Sequence, residues 1–144
     1  MNLKCEGLDP DQLARRSVPP STLSLIGLVR HLAQVENHWF QRALQGRADK
    51  PRLYKRDDAP DWDFDGATPD PAVVKDAFAT WQAEIATADE WLDSVQEADL
   101  GREVPFGDGT VAPRDVLVHL IEEYARHAGH ADLLRECTDG RTGQ

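Results

Sequence analysis

The chain is poor in cysteine and in positive charge, and it has no long apolar run. Its two cysteines, Cys5 and Cys137, stand near opposite ends without CxxC spacing. That pattern supports neither a disulfide framework nor a zinc knuckle, and reduced thiols are expected. Lysine and arginine number 16 against 26 aspartates and glutamates, for a formal net charge of −10, and no basic patch stands out along the chain. Such a balance disfavours a nucleic-acid backbone or an anionic membrane surface as partner. No apolar stretch approaches the ~18 to 20 residues of a transmembrane helix, and residues 1 to 6 lack the apolar core of a signal peptide, so a cytoplasmic location is expected. Internal repeats and low-complexity segments are absent too. What remains, 144 residues with 40% hydrophobic content, suits a single domain built on one core.

Helical signals dominate. Residues 1 to 5 read as the tail of a helix ending at Gly7, and Asp9 with Pro10 caps a short turn reaching Arg16. After Val18-Pro19-Pro20, Ser21 or Thr22 is expected to cap a helix running to about Leu44, with Leu23, Ile26, Val29, Leu32, Val35 and Trp39 at helical steps. Residues 45 to 68, rich in charge, proline and aspartate, read as one long surface loop that Trp62 and Phe64 pin to the body. Pro69-Asp70-Pro71 opens a third helix ending near Val95, whose apolar face includes Val74, Ala77, Phe78, Trp81, Ile85 and Ala88. Asp108-Gly109 marks the turn of a small hairpin, and a last helix begins at Pro113, with Thr110 before it as cap, and ends near Cys137. Three long amphipathic helices and a short first element predict an all-α, antiparallel up-and-down four-helix bundle. The first helix is short or truncated, so either a partner subunit completes the bundle, as a homodimer would, or the protein starts upstream.

The chemistry concentrates in residues 119 to 136, HLIEEYARHAGHADLLRE, which hold three of the five histidines. His119, Glu123, His127 and His130 follow at steps of four, four and three, on one side of the helix. Leu117, Leu120, Ile121, Tyr124, Leu133 and Leu134 supply an apolar stripe beside them. Imidazole and carboxylate set against a core-directed face are costly to bury unless something satisfies them, and a divalent metal would. The plain alternative is a solvated helix face. On the second helix, His31 sits among Leu28, Leu32 and Val35, close to the buried side, where a histidine bonded to a carbonyl is equally ordinary. Should the two helices pack together, His31 completes a His, Glu, His set, the donor chemistry of an open metal site. His38 and His119 read as structural. Zinc leads among the metals such a set accepts, with nickel, manganese and iron behind it.

LVRHLAQVENHWF, the HLIEEYARHAGHADLLRE stretch and the closing DGRTG together resemble the DinB-like family, and the likeness extends over residues 6 to 143. The resemblance implies a four-helix bundle with a divalent metal at one end, held by one residue of the second helix and two, four apart, of the last. Those positions here are His31, Glu123 and His127. Many relatives have histidine in place of Glu123, whereas the mycothiol-dependent maleylpyruvate isomerase branch uses a His, Glu, His set. That isomerase has a second domain missing here, so its particular reaction is not transferred. Relatives also carry roughly twenty more residues ahead of the segment beginning at Asn2.

The family includes transferases that use low-molecular-weight thiols such as mycothiol, which implies a metal-dependent thiol transferase or isomerase acting on an electrophilic substrate, with mycothiol as cosubstrate. A metal lowers the pKa of a thiol bound to it and can polarise a carbonyl. His130 and Arg126 are then the candidates to orient a substrate carboxylate or move a proton. The competing expectation is a non-catalytic bundle, stabilised by its metal, with a stress-related or protein-interaction role.

Overall fold

The computed structural model describes residues 1–143, which are mostly helical with one small two-stranded sheet. Two short helices open the chain, α1 at Asn2–Cys5 and α2 at Pro10–Ala14. Asp9 closes a reciprocal cap with Gln12 at the start of α2, as the Asp-Pro pair predicts. Helix α3, Leu25–Glu36, is capped by Ser24, whose Oγ accepts from the Gly27 N–H, and not by Ser21 or Thr22. Beyond Glu36 the helix continues but widens to π geometry over Asn37–Leu44, with the Gln45 N–H reaching the Phe40 carbonyl.

The expected 45 to 68 loop is interrupted by a helical turn, α4, at Trp62–Asp65. Its remaining length is anchored by Tyr54, over which the Arg30 guanidinium stacks at 4.1 Å and whose hydroxyl donates to Asp76. Helix α5, Pro71–Ser94, has Asp70 as cap and proline in its first turn. Strands β1, Val104–Phe106, and β2, Gly109–Val111, pair antiparallel with Phe106 opposite Gly109. The positive φ falls on Gly107 (56°) rather than on Gly109, so the turn is Gly107-Asp108, glycine at the first central position. Helix α6, Pro113–Asp139, starts at Ala112, whose N–H donates to Asp115, and Thr110 instead bonds Glu103. Gly140, at φ 79°, ends it.

Helix α3 is the axis of the molecule, packing against α4, α5 and α6. Leu25, Ile26, Leu28, Val29 and Leu32 are fully buried there, against Ala77 and Trp81 of α5 and Ala131 and Leu134 of α6. The short N-terminal helices lie over this core, with Cys5 and Leu13 buried in it. Arg135 ties them down by donating to the Lys4 and Glu6 carbonyls while both carboxylate oxygens of Asp139 hold its guanidinium.

The buried side of α6 is rotated from the expected stripe. Val116, Leu120, Glu123, His127, Ala131 and Leu134 face inward, whereas Ile121 (69% exposed) and Leu133 (56%) point to solvent. Glu123 and His127 therefore lie at the centre of the buried face, not beside it. No helix among the described residues is long and apolar enough to cross a membrane.

Candidate metal centre

Where α3 and α6 meet, one donor atom each from His31, Glu123 and His127 comes within 4.8 Å of the others. The Glu123 Oε2 lies 3.6 Å from the His31 Nε2 and 3.2 Å from the His127 Nε2. All three arrive for the reason their spacing gives: Glu123 and His127 are one turn apart on the inward face of α6, and His31 is on the side of α3 that meets it. Glu123 and His127 are buried, and the His31 side chain keeps 18% of its surface. The rings of His31 and His127 meet edge-on at 4.7 Å.

Each donor has a second partner that fixes its orientation. The His31 Nδ1 lies 2.9 Å from Oδ2 of Asp63, a fully buried carboxylate on α4. Lys55 donates to the other oxygen, Oδ1, at 3.0 Å. Burial alone would raise the Asp63 carboxyl, but the hydrogen bonds from His31 and Lys55 outweigh it and hold the group below its usual value. The helical turn bearing Asp63 is clamped to α3 by Arg30, whose Nε donates to the Asp63 carbonyl and whose terminal nitrogen donates to that of Trp62, both at 2.8 Å. Phe64 stacks on the His31 ring with centroids 4.9 Å apart. Neither Asp63 nor Lys55 is among the residues the sequence singles out. Trp62 and Phe64 do attach the loop, and in doing so they deliver Asp63 to His31.

Glu123 turns Oε2 toward the two imidazoles and leaves Oε1 to the outside, 3.6 Å from the His119 Nε2 and 3.3 Å from Arg126. His127 places Nδ1 3.3 Å from the His130 Nδ1. Burial first, and then the neighbouring His31 ring, push the His127 imidazole down to about 4, so it is neutral at pH 7. Of the remaining expected residues, Arg126 is more than half exposed, and among the described residues its polar partner is the outer oxygen of Glu123. His130 lines a small cavity of about 200 Å³ with Val18, Leu23 and Leu134. His38 is set apart, its ring against Trp39 and Phe106.

The chemistry of this donor set fits a divalent cation. Two imidazole nitrogens and one carboxylate oxygen converge, each oriented from behind by a carboxylate, a second imidazole or a cation, as metal-binding histidines and carboxylates generally are. Three protein donors leave coordination positions open. The sequence itself places the chain: no curated protein and no solved structure matches it, but a family model for mycothiol-S-transferases does so over residues 1–140. The chain thus belongs to the mycothiol S-transferase family, a DinB-like family.

Proposed function

We propose that this protein is a metal-dependent transferase that joins a mycothiol-type thiol to an electrophilic acceptor, on a single helical-bundle domain. The observation that carries this reading is the convergence of His31, Glu123 and His127 in a chain of this family. These residues would hold a divalent ion, zinc by preference, through Nε2, Oε2 and Nε2. Bound there, such an ion supplies Lewis-acid chemistry: it lowers the pKa of an adjacent thiol and polarises an electrophile.

The chain's own residues do the rest. Asp63 holds the Nδ1 proton of His31, which keeps Nε2 free to coordinate. With the His127 Nε2 turned to the centre, its Nδ1–H donates to the His130 Nδ1 and leaves the His130 Nε2–H to donate to a substrate oxygen. Arg126 uses one nitrogen on Glu123 and keeps the rest of its fork for an acceptor carboxylate. With an alkyl halide as acceptor the sulfur–carbon bond forms as the carbon–halogen bond breaks, the halide leaving and the thiol proton passing to solvent.

The test is a conjugation assay with mycothiol and a reactive alkyl halide on metal-loaded protein. Wild type should turn over, and His127→Ala should lose both metal and turnover. Turnover retained without metal refutes the reading. Metal that raises the melting temperature while no conjugation occurs favours the non-catalytic bundle.

A further inference from the structure

One turn past His127, α6 borders a cavity of about 200 Å³ lined by Val18, Ser21, Leu23, His130, Leu133 and Leu134. Four of these six side chains are aliphatic. The Ser21 hydroxyl is occupied in accepting from the Leu23 N–H. His130 turns Nδ1 to His127, and its Nε2 has no hydrogen-bond partner among the described residues. The cavity therefore offers an apolar wall and one free ring nitrogen.

Volume and exposure decide what fits. Drug-sized ligands occupy roughly 300–1,000 Å³, whereas an apolar cavity of about 150 Å³ holds one benzene ring. At about 200 Å³ the space takes a single aryl or short alkyl group. Water is a poor occupant, because an ordered water needs about two to four polar partners. Leu133, whose helical spacing puts it in the apolar stripe, instead stands at this cavity with 56% of its surface exposed. An apolar group seated against it removes that surface from water.

The cavity adjoins the metal centre through one residue. His127, His130 and Leu134 follow at steps of three and four along one side of α6, so the cavity begins about 5 Å along the axis from His127. The His130 ring meets the His127 ring with centroids 5.3 Å apart and is itself part of the cavity lining. With its Nδ1 accepting from His127, neutral His130 carries its proton on Nε2 and is a donor there.

We infer that this cavity binds the aryl or short alkyl group of a small molecule whose carbonyl or hydroxyl oxygen accepts from the His130 Nε2–H. Two sources have that chemistry, the electrophilic acceptor of the thiol and an unreacting ligand. The contact of His130 with His127 favours the acceptor, an assignment that rests on the transferase reading; the binding site itself does not.

The experiment has two arms. In the first, acetophenone, which has the ring and the oxygen but no leaving group, is titrated into metal-loaded wild type, Leu133→Asp and His130→Phe. Amide NMR shifts report the binding, and melting temperatures check the folds. Acetophenone should shift the Leu133 and Leu134 amides. It should bind Leu133→Asp about four- to fifteenfold more weakly, the burial of about one or two methylenes lost. Leu133→Ser serves as the milder variant if the aspartate disturbs the fold. His130→Phe keeps a ring and loses the donor, and should bind about two- to tenfold more weakly. Equal binding by the Leu133 variants overturns the cavity site, and equal binding by His130→Phe overturns the hydrogen bond.

In the second arm the protein conjugates mycothiol to 2-chloroacetophenone or to chloroacetone, which differ only in phenyl against methyl. The sulfur–carbon bond forms, the carbon–chlorine bond breaks, chloride leaves and the thiol proton goes to solvent. The ratio of kcat/KM for the aryl over the methyl acceptor should fall about four- to fifteenfold in Leu133→Asp, the same loss of burial. Weakened acetophenone binding with an unchanged ratio assigns the cavity to an unreacting ligand and overturns the acceptor assignment. No transfer to either acceptor, with acetophenone binding still sensitive to Leu133, defeats the transferase reading and the acceptor assignment while the cavity site stands.

Discussion

Replacing Asp63 by asparagine tests how the site is built without touching any of the three converging donors. The aspartate is fully buried and receives His31 at 2.9 Å and Lys55 at 3.0 Å. Asparagine keeps the size and one accepting oxygen, but it removes the charge that makes His31 a stronger donor, and its amide hydrogens cannot accept from Lys55. Partners of this kind generally contribute a factor of about 10 to 100 to metal affinity, or about 1.4 to 2.7 kcal/mol. Zinc affinity of Asp63→Asn, measured by competition with a chromophoric chelator, should therefore fall by about that factor while about one ion per chain still binds at saturation. Glu123→Gln, which removes a direct donor, should lose far more. The reasoning is refuted if Asp63→Asn binds zinc as tightly as wild type, because His31 would then need no orientation from α4.

Three further substitutions and one alkylation separate packing from chemistry. A Cβ on Gly66 would fall 2.6 Å from the Arg30 guanidinium and 2.8 Å from the Trp62 carbonyl, so Gly66→Ala should lower stability by about 1 to 3 kcal/mol in urea melts, while Gly129→Ala, with nothing within 4 Å, should raise it by about 0.5 to 1 kcal/mol. Glu36 is buried under the Tyr124 hydroxyl, and burial, opposed by that hydrogen bond and reinforced by Asp89 and Glu84, raises its carboxyl above the usual value. A raised folded-state pKa means the stabilisation is complete below the unfolded value and is lost as pH rises through the folded one. Glu36→Gln, which still accepts from Tyr124, should accordingly melt higher than wild type at pH 7 and not at pH 4. Burial pushes the Cys5 thiol up to about 11, whereas Cys137 is exposed, so mass spectrometry after brief alkylation should find Cys137 modified and Cys5 protected until the protein unfolds.

The helices and the alignment of Glu123 with His127 were legible because each depends on a local period, whereas His31 joins them only through the packing of α3 on α6, which the family resemblance implied and no local period dictates. A step of four residues, close to one helical turn of about 3.6, aligns Glu123 with His127 whatever the rest of the chain does. Asp63 was not legible. Aspartates also occupy positions 57, 58, 61 and 65, and only the packing of α4 on α3 distinguishes one of them from the others. The flanking Trp62 and Phe64 were the available signal, and they mark a turn held against the body rather than an open loop. Ser24 capped α3 ahead of Ser21 and Thr22 because three hydroxyls in four positions compete, and tertiary packing decides where the helix starts.

The central claim is that three side chains from two helices hold an ion at which a thiol binds. Elemental analysis of purified wild type beside His31→Ala/His127→Ala, followed by calorimetric titration of mycothiol into the loaded and stripped forms, tests it most directly. The account predicts about one divalent metal per wild-type chain, none in the variant, and thiol binding to the loaded form alone. Equal metal content in the two proteins, or mycothiol binding that ignores the metal, would contradict it.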